Sequence, residues 1–95
     1  MATVISDDDA LARLRHLPGW TLARHGIERE FTFAGFPEAV AFVGRLVAPC
    51  EAADHHPDLQ IHYRRVLVRF TTHSASGLTE KDFAGARLAD EAARA

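Results

Sequence analysis

Alternating apolar and polar positions, which are typical of half-buried strands, begin early in the chain. They occupy residues 20–24 and 27–34, on either side of His25-Gly26. Because glycine takes positive φ values without steric cost, we expect Gly26 to supply the tight turn between them. This part of the chain is therefore predicted to form a β-hairpin.

The same alternation returns in a second pair of segments, residues 59–63 and 66–70, which predicts a second hairpin. The apolar row of its last strand consists of Val66, Val68 and Phe70. His73 has the opposite parity, so regular pairing of a longer strand would not bury it in the core. We expect this histidine to be available for chemistry.

Capping motifs predict a helix near each end of the chain. Ser6 followed by Asp9 is typical of a helix start, and leucines then recur at helical spacing until Pro18. Thr79 followed by Asp82 gives the same signal for an alanine-rich helix at the C-terminal end. Capping alone would explain Asp82.

A third helix is predicted between the two hairpins. Pro37 suits its first turn, where a backbone N–H is not needed. The predicted buried stripe consists of Phe36, Val40, Val43, Leu46 and Val47. Because the ring of Pro49 should clash with the carbonyl of Arg45, we expect a kink or a fresh turn beginning near Pro49.

The predicted element order is α-β-β-α-β-β-α. Two hairpins can join into one four-stranded antiparallel sheet with helices on one face, an α+β two-layer sandwich. The 95 residues are expected to form a single domain, 1–95. A chain of this length has a thin core, so a homodimer or homotetramer is expected to bury additional surface.

Composition restricts the functional class. Thirteen acidic and eleven basic side chains give a formal charge of −2, which lacks the basic excess of a nucleic-acid-binding protein. Cys50 is the only cysteine, so it cannot form an internal disulfide, and a reducing, cytoplasmic location is expected. Neither a secretory signal nor a membrane span is predicted, because no apolar stretch is long enough.

The candidate chemistry lies in the run Glu51-Ala-Ala-Asp54-His55-His56-Pro57. If this run is helical, the two carboxylates and His55 emerge on one face. A carboxylate that accepts a ring N–H fixes the imidazole tautomer and raises the basicity of the other nitrogen, as a general acid or base requires. Pro57 restricts His56 to extended backbone, so we expect the helix to end at the second histidine.

The run Glu51-x-x-Asp54-His55-His56-Pro57, followed by Tyr63 and by Thr72-His73-x-x-x-Gly77-Leu78-Thr79-x-x-Asp82, closely resembles the pterin-4a-carbinolamine dehydratases. Gly19-Trp20 and Phe31-Thr-Phe33 agree as well, so the resemblance covers nearly the whole chain. Two positions depart from the family pattern. Leu59 stands where many members carry an aromatic residue in the pterin pocket, and Pro49 interrupts a helix that other members continue.

The resemblance implies a hydro-lyase that removes water from a 4a-hydroxytetrahydropterin, such as 4a-hydroxytetrahydrobiopterin, to give the quinonoid dihydropterin. The hydroxyl at C4a must be protonated while N5 loses its proton, and positioned acids and bases accelerate such steps by about 10²–10⁴-fold. No metal or redox cofactor is implied. The family also implies a role in tetrahydrobiopterin recycling beside an aromatic amino acid hydroxylase.

The resemblance also assigns roles to individual residues. His55 and His73 would act as acids toward hydroxyls on the two faces of the pterin, while His56 would mainly hold and orient the substrate. Glu51 and Asp54 would orient the imidazole rings or bind the pterin edge. The complete set of expected substrate-binding residues is Glu51, Asp54, Pro57, Thr72 and Asp82.

Two other classes of function remain open at the level of sequence. Histidines with a carboxylate are also ligands for zinc or iron, and an activity lost with EDTA and restored by metal would favour a metalloenzyme. Animal relatives of the family also act as dimerisation cofactors for a homeodomain transcription factor, and an interaction module of this kind needs an exposed apolar helical surface. Cys50 is expected to be a packed residue rather than a nucleophile.

Overall fold

The two hairpins and three helices predicted from the pattern are all present in the computed structural model, which describes residues 3–95. The elements are α1 (Asp7–Leu14), β1 (Thr21–Ala23), β2 (Gly26–Thr32), α2 (Phe36–Ala53), β3 (Asp58–His62), β4 (Arg65–Phe70), a 3₁₀ turn (His73–Ala75) and α3 (Glu80–Arg94). This order confirms the predicted α+β class. None of the helices in this part of the chain is long and apolar enough to cross a membrane.

The four strands form one antiparallel sheet in the order β1-β2-β4-β3. The hairpins join through β2 and β4, whose register pairs Ile27 with Phe70 and Thr32 with Arg65. The inner face of the sheet is fully buried at Ile27, Val66, Val68 and Phe70, and Phe31 is nearly so. The helices α2 and α3 pack on the sheet and on each other, and α1 packs against β1.

The turn of the first hairpin differs from the expectation. Ala23 pairs with Gly26, so the two-residue turn consists of Arg24 and His25, which have φ values of 47° and 64°. Gly26 lies in β2, where a Cβ atom would come within 2.7 Å of the Arg69 guanidinium. That guanidinium donates hydrogen bonds of 2.6 Å to the carbonyls of Ala23 and Arg24. A side chain at position 26 would displace this guanidinium, and Gly26 does not have the positive φ expected of it.

The predicted buried stripe of α2 was wrong at three of its five positions, whereas Leu46 is buried as predicted and Val43 is partly buried against the core. The residues of this helix that are buried are Ala39, Phe42, Leu46 and Cys50. Phe36, Val40 and Val47 are instead 52%, 44% and 60% exposed. The helix carries two neighbouring apolar stripes, and Phe42 is placed inward by its contacts with Phe31 and Phe33, at ring-centroid distances of 5.0 and 4.9 Å. The fresh turn expected at Pro49 was also wrong, because α2 runs through this residue to Ala53.

Both predicted caps are confirmed. The hydroxyl of Ser6 accepts the backbone N–H of Asp9 at 3.2 Å. At the start of α3, the Asp82 carboxylate accepts the backbone N–H of Thr79 at 2.9 Å, and the Thr79 hydroxyl accepts the N–H of Lys81 at 3.3 Å. The second cap fixes the position of a carboxylate that also belongs to the candidate site.

The packing of α3 on the sheet gives a stability prediction. A Cβ atom at Gly85 would lie 2.6 Å from Cε1 of the buried Phe70, whereas one at Gly44 of α2 would meet nothing within 4 Å. We expect Gly85→Ala to be less stable than Gly44→Ala by about 1–3 kcal/mol. Both variants gain the same helix propensity, but only Gly85→Ala bears the cost of overpacking. Urea unfolding measures the difference, and equal stabilities of the two variants would contradict this packing.

Candidate active site

The candidate site begins where α2 ends. Asp54 adopts the left-handed conformation with φ of 50°, and its backbone N–H bonds to the carbonyls of Cys50 and Glu51. The helix therefore ends at Ala53, earlier than the expected end at the second histidine. This reversal separates the two adjacent imidazoles, since the side chain of His55 is 11% exposed and that of His56 is 56% exposed.

His55 is held from below by Asp82. Its Nε2 lies 2.6 Å from Oδ1 of Asp82, whose side chain is fully buried. The other carboxylate oxygen accepts the hydroxyl of Thr72 at 2.8 Å and the backbone N–H of Thr79 at 2.9 Å. The ring of His55 also stacks on Phe70, with centroids 5.7 Å apart.

The hydrogen bonds determine which nitrogen of His55 carries the proton. The Thr72 hydroxyl donates to Asp82, so the Thr79 hydroxyl donates to Thr72 across 2.8 Å and accepts the N–H of Lys81. An ionised carboxylate can only accept, as Asp82 does from Thr72 and Thr79, so we infer that Nε2 of His55 is the protonated nitrogen of the neutral ring. Nδ1 is then left as the nitrogen that can accept or deliver a proton.

His56 forms the second imidazole–carboxylate pair, with Glu51 on the outside of the protein. Its Nε2 contacts Oε2 of the glutamate. The expected shared face of Glu51, Asp54 and His55 required a helix that continues to His55, and the left-handed residue at Asp54 ends the helix before it. The two histidines thus have different carboxylate partners, one buried and one exposed.

The strand parity of His73 suggested a position on the last strand, but His73 does not lie on that strand. The strand β4 ends at Phe70, Thr72 forms an isolated bridge with Gly77, and His73 is the exposed first residue of the 3₁₀ turn. Its neighbour Thr72 donates to Asp82, the carboxylate that holds His55. The backbone of His73 is therefore attached to the network beneath the first imidazole.

The remaining predicted site residues occupy different surroundings. Thr72 and Asp82 are buried, so they lie beneath the imidazole of His55 rather than at the surface of the site. Asp54 is exposed at the helix end, and Pro57 lines a shallow cavity beside His56. Among residues 3–95, no three His, Cys, Asp or Glu side chains are grouped in a way that could hold a metal ion.

Cys50 lies one turn before the histidines on the inner face of α2 and is unpaired. Burial raises the pKa of its thiol, and the neighbouring carboxylate of Glu51 adds to that increase. A raised thiol pKa disfavours the reactive thiolate at neutral pH. This environment agrees with the expectation of a packed residue and not of a nucleophile.

Sequence reasoning missed two parts of the site. Phe70 was predicted as a core residue, but nothing in the alternation of β4 indicates that its ring stacks on His55. Thr79 was predicted as a helix cap, yet its hydroxyl also supports Thr72. The capping motif did locate Asp82, and its second carboxylate oxygen was the available sign that a further donor would bind there.

Comparison with known proteins identifies the family. A model of the family described as pterin 4 alpha carbinolamine dehydratase matches residues 3–92. A protein of Picosynechococcus sp. (strain PCC 7002) is 51% identical over 83 residues, which cover 87% of this chain and 90% of that protein. A protein of Roseiflexus sp. (strain RS-1) is 46% identical over 91 residues, covering 96% and 98%. Both names assign these proteins provisionally to the pterin-4-alpha-carbinolamine dehydratases. The chain belongs to this family.

Solved structures agree on the fold. A crystal structure of a transcriptional coactivator/pterin dehydratase from Brucella melitensis has a TM-score of 0.91 and 34% identity, covering 96% of this chain and 99% of that one. A pterin dehydratase-like protein identified as a RuBisCO assembly factor in the alpha-carboxysome has a TM-score of 0.64 and 21% identity, covering 78% and 86%. At that identity, the second likeness shows the fold alone.

The buried network predicts the effect of removing one hydroxyl. Thr72→Val deletes the donor to Asp82 and the acceptor for Thr79 while keeping the shape of the side chain. We expect a loss of about 1–3 kcal/mol in the free energy of unfolding, because buried polar groups are left unpaired. Urea unfolding gives this value, with Thr32→Val on the exposed side of β2 as the control. A loss no greater than that of the control would show that the hydroxyl does not support the carboxylate.

Proposed function

We propose that the protein removes water from a 4a-hydroxytetrahydropterin to give the quinonoid dihydropterin, by histidine acid–base catalysis. Family membership and the imidazole of His55, held in one tautomer by Asp82, support this proposal. The imidazole of His55 carries the mechanism, because a fixed ring with one available nitrogen is the arrangement that directed proton transfer requires. The reaction would regenerate tetrahydrobiopterin-type cofactors after an aromatic amino acid hydroxylase has used them.

The reaction breaks the C4a–O bond and the N5–H bond, and a C4a=N5 double bond forms as water leaves. One group must protonate the departing hydroxyl, and another must accept the proton of N5. His55 delivers or accepts a proton through Nδ1, and Asp82 stabilises its imidazolium form, which is the reactant when His55 acts as an acid and the product when it acts as a base. His73 serves the opposite face of the flat ring. His56, Glu51, Asp54 and Pro57 hold and orient the substrate from the outer side.

Asp82 and Thr72 act in this mechanism as positioning residues. Both side chains are buried, which favours a supporting role rather than direct contact with the pterin. Asp82 fixes the orientation of His55 and stabilises its charged form, while Thr72 fixes the carboxylate. This role replaces the direct substrate contact that the resemblance implied for both residues.

Rates of carbinolamine decay test the assignment of the histidines. We expect His55→Ala and His73→Ala each to lower kcat by at least about tenfold, the lower end of the effect of one proton-transfer group. The exposed His16 of the chain's N-terminal part offers a matched control, and His16→Ala should keep the wild-type rate. Stopped-flow absorbance, with and without EDTA, measures the decay. Wild-type rates in both site variants would refute the mechanism, and EDTA-sensitive activity restored by zinc or iron would favour a metalloenzyme.

We further propose that the protein works as a homo-oligomer in the cytoplasm, with two surfaces available for a second copy. The strand β3 pairs only with β4 among the described residues, and all five of its residues are exposed. The outer side of α2 presents Phe36 and Val40 to solvent. An unpaired edge and an apolar helix face are features that natural proteins usually cover. The unpaired Cys50 supports the location.

Sedimentation tests the oligomer. We expect the wild type to sediment as a dimer or tetramer at micromolar concentration, and Val40→Asp to form a smaller species, because the new charge would have to be desolvated at the contact. Leu11→Asp, which changes an exposed leucine of α1, is the matched control and should sediment like the wild type. A 10.5 kDa monomer in the wild type would contradict the proposal.

A protein-interaction module would use the same outer face of α2, so the alternative of a protein-binding role depends on the same exposed residues. The two functions separate experimentally. Binding of a helical partner that survives His55→Ala but is lost with Val40→Asp would favour the interaction module over catalysis.

A further inference from the structure

An apolar cavity of about 170 Å³ lies between α2 and β3, next to the outer imidazole of the candidate site. Its walls are formed by Val43 and Val47 of the helix and by Leu59 of the strand, with Cys50 at its inner side. Glu51 and His56 border it, and their polar ends bind each other. The cavity therefore offers hydrocarbon contacts and almost no free hydrogen-bonding group.

The bonding within the proposed substrate brings its C6 substituent close to this cavity. The two atoms whose bonding changes are C4a and N5, and C6 is bonded directly to N5. A pterin whose reacting edge is held by the histidines must project its C6 substituent within a few bonds of them. His56 borders both the candidate site and the cavity. The cavity is therefore the adjoining space that could take a short carbon chain.

We propose that this cavity receives the C6 substituent of the pterin, an inference that rests on the proposed function. The carbon chain supplies the affinity through contact with Val47 and Leu59, since burial of apolar surface is the interaction that these walls offer. Hydroxyl groups on the substituent contribute less here, because the polar lining is restricted to the border, where Nε2 of His56 and Oε2 of Glu51 already bind each other. The cavity thus makes binding depend on the presence and size of the C6 chain.

Binding of product analogues tests this inference without turnover. Quenching of pterin fluorescence gives Kd values for 7,8-dihydropterin, which lacks a C6 substituent, and for 6-propyl-7,8-dihydropterin. We expect the wild type to bind the propyl compound at least about tenfold more tightly, the scale of discrimination that apolar pockets reach for added methylene groups. Val47→Trp should fill the cavity from the helix side and remove this advantage while leaving the Kd of 7,8-dihydropterin unchanged.

Leu11→Trp is the matched control, because it introduces the same side chain at an exposed leucine of α1. It should keep the advantage of the propyl compound. Equal Kd values for the two compounds in the wild type, or an advantage that survives Val47→Trp, would overturn the inference while leaving the proposed function standing. If neither compound binds the wild type, both this inference and the proposed function fail.

The single thiol gives a second measurement that does not depend on a variant. Cys50 borders the cavity, so a bound C6 chain should shield it from methyl methanethiosulfonate. The reaction is followed at alkaline pH by mass spectrometry, because burial raises the pKa of this thiol. We expect 6-propyl-7,8-dihydropterin at saturation to slow the modification and 7,8-dihydropterin not to do so. Equal rates with both compounds would overturn the inference, and protection by raised protein concentration alone would assign the cavity to a second copy.

Discussion

A carboxylate that is removed from water must collect hydrogen bonds, and Asp82 collects them from three separate parts of the chain. The backbone of Thr79 donates from the start of α3, the hydroxyl of Thr72 donates from the segment after β4, and Nε2 of His55 approaches from the end of α2. One side chain thereby connects the cap of α3, the segment that follows β4 and the orientation of an imidazole. Stability and the candidate chemistry depend on the same buried group.

The left-handed residue at the end of α2 creates the second constraint on the site. Because Asp54 reverses the chain direction, His55 turns inward to Asp82 and His56 turns outward to Glu51. Adjacent histidines thus have separate surroundings, one in a buried hydrogen-bond network and one at the edge of an apolar cavity. Both side chains of the outer pair are largely exposed, so a ligand can reach them.

Local signals in the sequence predicted the elements, their order and the caps, because alternation and capping depend on neighbouring residues alone. The inward face of α2 could not be predicted, since the helix has two apolar stripes and only packing against the aromatic rings of β2 selects one. The separation of His55 from the helical face of Glu51 and the place of His73 were missed for a related reason. Each depends on where a regular element ends, at Ala53 and at Phe70, and the residues near those ends would also suit a longer element.

The tautomer of His55 tests the account most directly, because it is fixed only if Asp82 accepts the proton of Nε2. Nitrogen NMR of the isotope-labelled protein near neutral pH distinguishes the two ring nitrogens of each histidine. The account predicts that neutral His55 carries its proton on Nε2, with Nδ1 unprotonated. A resonance pattern with the proton on Nδ1, or rapid exchange between the two tautomers as for a solvent-exposed histidine, would contradict it.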